Sequence, residues 1–329
     1  MFRTFSKLAL GMALGAMAVG SAFADPLKIT IGVQQTGTVQ WELTAMHNLG
    51  IDKKHNLDIE TRQLADTQAG QIALQTGTVD VILSDFVFVA LQRQHGATLT
   101  MVPHSLAVGD LVADPAAGIT SVADLKGKNL SSAGTPVDKS YVVLEAYYNS
   151  KTGGSLSNDA TVKFGAPPLV NQLLLKGQTQ AALNNWNWAV QAVVAGKTEL
   201  ISVQQMLKEL GVSQTPPLLG WVFTEDTASK KADALRAFLD ASFDTKQALL
   251  TDDSAWNGIR SLMNVGDNDK LFAAMRDGYR NGVVRGYDPA AATKAATETF
   301  DLLVKFGGKD AVGGATSLPD GTFYKGYSK

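Results

Sequence analysis

From residue 27 onward, short runs of apolar residues alternate with stretches whose apolar positions recur at helical spacing. Residues 27–33 and 57–62 read as strands, and 39–49 and 68–76 as helices stopped by Gly50 and Gly77. Residues 79–83 read as a buried strand ending on Ser84 and Asp85. Residues 86–94 then keep a helical period through Phe86, Val89, Ala90 and Arg93, and 99–103 read as a further strand. This alternation marks βαβ units, hence an α/β fold with parallel-rich sheets flanked by helices.

The pattern then repeats. Leu74, Gly77, Leu83 and Gly96 recur a hundred residues later as Leu174, Gly177, Leu183 and Gly196, and Ser84-Asp85-Phe86-Val87-Phe88 is answered by Asn184-Asn185-Trp186-Asn187-Trp188. A second pair of segments agrees: residues 28–33 run into Gly37 and Thr38 before a helix, and 127–131 into Gly134 and Thr135 before another. In both places the threonine is expected to cap the first amides of the helix. Two like-built lobes, each offering two loops at strand carboxyl ends, describe a clamshell with a ligand cleft between them.

The chain is expected to leave the first lobe near residues 104–109 and to return along the apolar run 218–223, after Thr215-Pro216-Pro217. Lobe one is then residues 25–106 and 216–329, and lobe two residues 107–215. Within lobe two, 119–128 read as a one-turn helix feeding that lobe's first strand, Pro136 takes the first position of a helix with Asp138 as its capping acid, and 181–183 echo 81–83. After Thr224 the spacing is helical through 233–250, 254–263, 269–279 and 289–305, a tract expected on lobe one and in part on the back of lobe two. Gly307, Gly313 and Gly314 lead into a polar tail.

Arg3 and Lys7, the apolar run 8–19 and Ala22-Phe23-Ala24 compose a secretory signal peptide, residues 1–24, with cleavage expected after Ala24. Gly11 and Gly15 interrupt a run already too short to span a bilayer. A periplasmic location follows as the expectation. The chain has no cysteine, which excludes a lipidated cysteine anchor, a disulfide framework, a thiolate nucleophile and a cysteine metal site. Its net charge of −2 suggests no nucleic-acid surface, and 45% hydrophobic residues let burial alone hold a compact fold.

No catalytic motif, metal site or cofactor is expected. Gly196-Lys197-Thr198 ends like a phosphate loop, but Gln191 stands where the first glycine belongs. There is no Gly-x-Ser-x-Gly or His-Glu-x-x-His, and His47, His55, His95 and His104 lack metal-ligand spacing. His104 lies at the expected crossing and is a candidate contact, while the adjacent Ser105 has no orienting acid. The candidate loops carry Glu42, Asp85, Asp138 and Lys139 and no arginine. Helix N-termini favour anions, whereas Asp85 beside the aromatic faces of Trp41, Trp186, Trp188 or Trp221 suits an amine or a polar heterocycle. A core place is the competing reading for each tryptophan, a helix cap for Asp138, and a structural acid for Asp85. A zwitterion would suit both the carboxylate and the helix ends.

The first strand, the segments 50–60 (Gly-Ile-Asp-Lys-Lys-His-Asn-Leu-Asp-Ile-Glu) and 73–81 (Ala-Leu-Gln-Thr-Gly-Thr-Val-Asp-Val), and Ser121-Val122-Ala123-Asp124-Leu125-Lys126-Gly127-Lys128 are together similar to periplasmic substrate-binding proteins of ABC importers. The type resembled is the aliphatic-sulfonate, taurine and nitrate one, over most of residues 25–230. The resemblance implies a type II periplasmic-binding-protein fold, a solute held between lobes, and delivery to an ABC permease with a cytoplasmic ATPase, without chemistry on the solute. By position it places the ligand-binding loops on Thr36, Gly37 and Thr38, on Ser84 and Asp85, on Gly134 and Thr135, and on Asn185 and Trp186; Trp41 joins these as a candidate contact through its aromatic face alone. Members that hold sulfonates often carry small neutral residues where this chain has Asp85, which speaks against a simple anion.

The expectation is therefore a monomeric solute-binding protein for a small polar organic molecule, sulfonate- or taurine-like or an amine or heterocycle, that works by lobe closure. An enzyme on the same scaffold, such as one making a pyrimidine precursor, and a ligand-presenting sensor stand as alternatives.

Overall fold

The computed structural model describes Met1 and residues 25–34, 37–65, 67–213 and 216–329. The expected signal segment beyond Met1, together with Thr36 and Thr215, lies outside the described residues. The first part of the chain runs β1 (Leu27–Gln34), α1 (Val39–Asn48), α2 (Ile51–Lys54), β2 (Leu57–Leu64), α3 (Thr67–Gln75), β3 (Val81–Asp85), α4 (Phe86–Gln94) and β4 (Leu99–Ser105). Next come β5 (Gly109–Ala113), β6 (Asn129–Ala133), α5 (Lys139–Thr152), α6 (Leu156–Asp159), β7 (Thr161–Gly165), α7 (Pro167–Leu175), β8 (Ala181–Asn185), α8 (Trp186–Val194), β9 (Thr198–Ser202) and α9 (Val203–Glu209). The last part is β10 (Leu219–Thr224), α10 (Glu225–Lys230), α11 (Ala232–Thr251), a 3-10 segment Ser254–Met263, α12 (Asp269–Asn281) and α13 (Pro289–Gly307).

Two five-stranded sheets result, ordered β2-β1-β3-β10-β4 and β7-β6-β8-β5-β9. In each, three neighbouring strands are parallel and the fourth is inserted antiparallel: β10 between β3 and β4, β5 between β8 and β9. The chain thus passes from one sheet to the other between Ser105 and Gly109 and comes back into the first sheet at Leu219. Buried Ile29, Ile31 and Val33 on β1 and Val81 on β3 lie on one face of the first sheet, and buried Ile82 of β3 points to the other. Helix α11 packs on β1 and α1, whereas α12 packs on α8 and α13 on α5, so the C-terminal helices touch elements of both sheets.

The hundred-residue echo is structural. Helices α3 and α7, strands β3 and β8, and helices α4 and α8 start and stop at positions that differ by a hundred. The loop bonds match as well: Thr78 N donates to Ala73 O as Gln178 N does to Leu173 O, and Ala97 N to Gln92 O as Lys197 N does to Ala192 O. Gly77 and Gly177 (φ 71° and 67°) and Gly96 and Gly196 (φ 89° and 96°) end these helices in the left-handed region, where only glycine is unstrained.

Two expectations need correction. The second sheet's first strand is β5, ahead of the 119–128 segment; five residues opening on Gly109 and carrying Asp110 show no alternation from which a strand would be read. The C-terminal tail is not simply polar, because Phe323 and Tyr327 are buried and Phe323 bridges to Met101 of β4. Gly109 also shows why its position is glycine, since a Cβ there would collide with the Asn184 carbonyl oxygen of β8. Gly109→Ala should lower the urea midpoint by the equivalent of about 1–3 kcal/mol at unchanged slope. A variant as stable as the wild type would mean β5 is not held this close to β8.

Candidate functional site

The loops singled out in the sequence all lie at strand carboxyl ends, where helix N-termini begin, but their capping differs from expectation. Asp85 ends β3 and caps α4, its Oδ1 accepting from Phe88 N at 2.9 Å. Asn185 takes the corresponding place before α8 without a side-chain cap, and its exposed side chain is left to the surface. Its neighbour Asn184 is the structural member, donating from Nδ2 to Pro167 O (3.0 Å) and accepting from Asn185 N (2.9 Å). Ser84 is buried and accepts from Gln71 Nε2 at 3.5 Å.

Thr38 and Thr135 do not cap. Thr38 has helical backbone angles, and only its carbonyl takes part, accepting from Trp41 N at 3.1 Å. Thr135 and Pro136 form a turn instead, in which Asp138 N donates to Thr135 O at 2.9 Å, the arrangement that suits proline at the second turn position. Gly134, at φ 86°, opens that turn. Helix α5 therefore begins three residues after Pro136, at Lys139, and its cap is Asp138, which accepts from Ser140 N at 2.9 Å.

Two contacts join the halves of the molecule here. Lys139 Nζ lies 3.3 Å from Asp85 Oδ2, with side chains only 17% and 22% exposed. Burial works against the Lys139 ammonium, but the Asp85 and Asp138 carboxylates outweigh it and raise its pKa, so it stays charged. Trp41 of α1 meets Trp186 of α8 edge to face, with ring centroids 6.0 Å apart at 86°. Trp41 Nε1 donates to Leu262 O (3.1 Å), and a Cβ on Gly278 of α12 would come within 2.9 Å of the Trp186 ring. Trp41 is buried in an apolar cluster and Trp221 is 1% exposed, so the core reading holds for those two, whereas Trp186 is half-buried and packs against the cluster.

Behind α1 lies a buried polar cluster whose members lie too far apart along the chain to be assembled by local pattern. Glu42 accepts from Lys246 Nζ (2.9 Å), Ser242 Oγ (2.5 Å) and Tyr279 OH (3.0 Å), and Trp221 Nε1 donates to the same Ser242 oxygen at 2.9 Å. His104 Nδ1 sits 3.6 Å from Glu42 and has no hydrogen-bond partner. Burial, with the Lys246 charge added, depresses His104 to about 3 against the pull of Glu42, so the ring is neutral. His104 is 4% exposed and part of this interior cluster, not a surface for solute. Because removing one charge would strand the other, Glu42→Gln should destabilise the fold by about 3–5 kcal/mol in chemical denaturation. A loss below ~1 kcal/mol would show that the pair is not a buried anchor.

Asp110 of β5 is a second group that escaped the sequence reading. Burial, and then the Glu199 carboxylate on β9, push its pKa up to about 7. A folded-state pKa above the unfolded one means the native state binds more protons, so this group's contribution to stability falls as pH rises from about 4 to about 7. Asp110→Asn should remove that slope and raise the melting temperature at pH 8 more than at pH 5. An equal effect at both values would contradict it.

At the carboxyl ends of β1 and β3 is a cavity of about 60 Å³, lined among others by Gly32, Gln34, Gly37 and Leu83. A larger trough of about 500 Å³ runs along β9 and α5 between Thr120, Lys151 and Glu209. None of the sequence-predicted residues lines that trough. The loops, not the trough, bring strand ends and helix N-termini together with residues from both sheets. Among the described residues, no cluster of histidine and acidic side chains is arranged to hold a metal ion.

Residues 47–254, more than half of the chain, match a family model described as NMT1/THI5 like. Among curated proteins, none matches. Solved structures share the fold. The alkanesulfonate-binding protein SsuA from Xanthomonas axonopodis pv. citri, bound to MOPS, is 18% identical and aligns over 91% of this chain and 96% of its own, with a TM-score of 0.64. The periplasmic aliphatic sulphonate binding protein SsuA from Escherichia coli is 19% identical over 85% and 92%, with a TM-score of 0.65. The periplasmic nitrate-binding protein NrtA from Synechocystis PCC 6803 is 12% identical over 77% and 70%, with a TM-score of 0.57. The two-sheet architecture is thus that of periplasmic binding proteins.

Proposed function

The chain belongs to the NMT1/THI5-like family, and from that premise we propose that it is the periplasmic solute-binding component of an ABC importer. It captures a small polar organic solute by closing two lobes, residues 25–106 with 216–329 and residues 107–215, and delivers it unchanged to a membrane permease served by a cytoplasmic ATPase. The observation that carries this reading is the meeting of Asp85 with Lys139 and of Trp41 with Trp186, contacts between elements of different sheets made at the strand-end loops. The binding residues are Gly37 and Thr38 with Ser84 and Asp85 on one side, and Gly134 and Thr135 with Asn185 on the other. Thr36 joins the first set by position, and Trp41 and Trp186 close the rear.

The reading favours binding over catalysis for a chemical reason. Asp85, Asp138 and Lys139 are engaged with one another and with helix amides, an arrangement suited to holding polar groups. We take the mature protein to be a monomer beginning at Asp25, after removal of the signal peptide. N-terminal sequencing of the exported protein checks that start; a full-length chain kept in the cytoplasm contradicts it.

The functional test is a thermal-shift screen of sulfonates, amines, amino acids, nitrate and pyrimidines, followed by calorimetry and mass spectrometry of the best solute. A solute at 100 times its dissociation constant should stabilise the protein by about 2.7 kcal/mol. It should bind at about one per chain and be recovered unaltered. Conversion of the solute to a product would support the enzyme alternative.

A further inference from the structure

Asp85 and Lys139 each have one direction in which to find a partner, and each points at the other. The Asp85 Oδ1 is occupied by Phe88 N, which leaves Oδ2 for Lys139 at 3.3 Å. Lys139 is the first residue of α5, held there by the Asp138 cap. The pair spans the two sheets, since Asp85 ends β3 of one and α5 follows β6 of the other.

We propose that this ion pair is a latch between the lobes which the solute must take over, and that it thereby selects a solute carrying one anionic and one cationic group. The inference rests on the cleft being the solute site. Asp85 and Lys139 meet across the two sheets, so a solute that enters between the lobes does so as they part, which separates Asp85 from Lys139. If the lobes reclose over a neutral molecule, two largely buried charges are left without partners, which is strongly unfavourable. An anion alone satisfies Lys139 but lies against Asp85, and a cation alone does the reverse. A zwitterion places its anionic end on Lys139 and its cationic end on Asp85 and leaves neither charge unpaired.

The chain has no cysteine, so Arg62→Cys and Lys163→Cys, at exposed positions on the edge strands β2 and β7, give a clean label pair for the distance between lobes. Asp85→Asn keeps the helix cap, and Lys139→Met keeps the aliphatic stem, so both variants should fold. In solute-free protein, either substitution should shift the distance distribution toward longer separations. Calorimetry on the wild type with zwitterionic amino acids and aminosulfonates, and with size-matched hydroxy acids and amino alcohols, should favour the zwitterions. Either substitution should weaken zwitterion binding about 10- to 100-fold, the loss expected for one charge-assisted hydrogen bond. Unchanged separations in both variants overturn the latch. A singly charged solute that binds the wild type more tightly than its zwitterionic match overturns the selection. Both results leave the transport reading standing, whereas turnover of a bound zwitterion would defeat that reading and not the latch.

Discussion

The antiparallel strand inserted fourth in each sheet sets the position of the strand-end loops, because one backbone hydrogen bond ties the residue before it to a helix start. Phe86 N, the first amide of α4, donates to Leu218 O just before β10, at 3.3 Å. Trp186 N, the first amide of α8, donates in the same way to Val108 O just before β5, at 3.2 Å. The residues before these inserted strands belong to the segments that carry the chain between sheets. A helix N-terminus is thus fastened to a segment that carries the chain between sheets, twice over; in the proposed reading these are the solute site and the hinge.

The remaining contacts give that construction its stiffness. The Glu42 cluster joins α1, α11 and α12 and reaches β10 through Trp221 and Ser242. Buried charges of this kind are costly to break and contribute little net stability when intact; their effect is to fix α1, and with it Trp41, relative to the first sheet. On the other side, α12 holds Trp186 against Trp41, and its end is tied to the crossing by Leu106 N, which donates to Gly282 O at 2.8 Å. Asp85 and Lys139 differ from the Glu42 and Lys246 pair in being partly exposed, which suits the exchange of partners proposed for them.

Much of the fold was legible in the sequence because its signals are local. The recurrence of Leu74, Gly77 and Leu83 as Leu174, Gly177 and Leu183 marks the same helix, glycine stop and strand, and helix α4 spans the residues that its period indicates. Strand β5 was missed because Gly109 and Asp110 weaken any strand pattern; its place depends on partners in β8 and β9, at least 68 residues away (Ala113 to Ala181). Thr135 was misjudged because Pro136 favours a turn as well as a helix start, and Asp138 competes for the cap. Lys139 was noted as the sole base in the loops, yet its pairing with Asp85 exists only once α5 is placed against β3. Lys246 and Tyr279 could not be linked to Glu42 from sequence at all, since each lies some two hundred residues from it.

The central claim is that one solute engages both lobes at their strand ends, and hydrogen exchange with and without the solute found by screening tests it most directly. The account predicts slowed exchange in a single titration at the amides of Gly37 and Thr38, Asp85 and Phe86, Gly134 and Thr135, and Asn185 and Trp186. Protection confined to one lobe, or centred on Ser121 to Ala123 and Leu200 to Ser202 along the large trough, would contradict it.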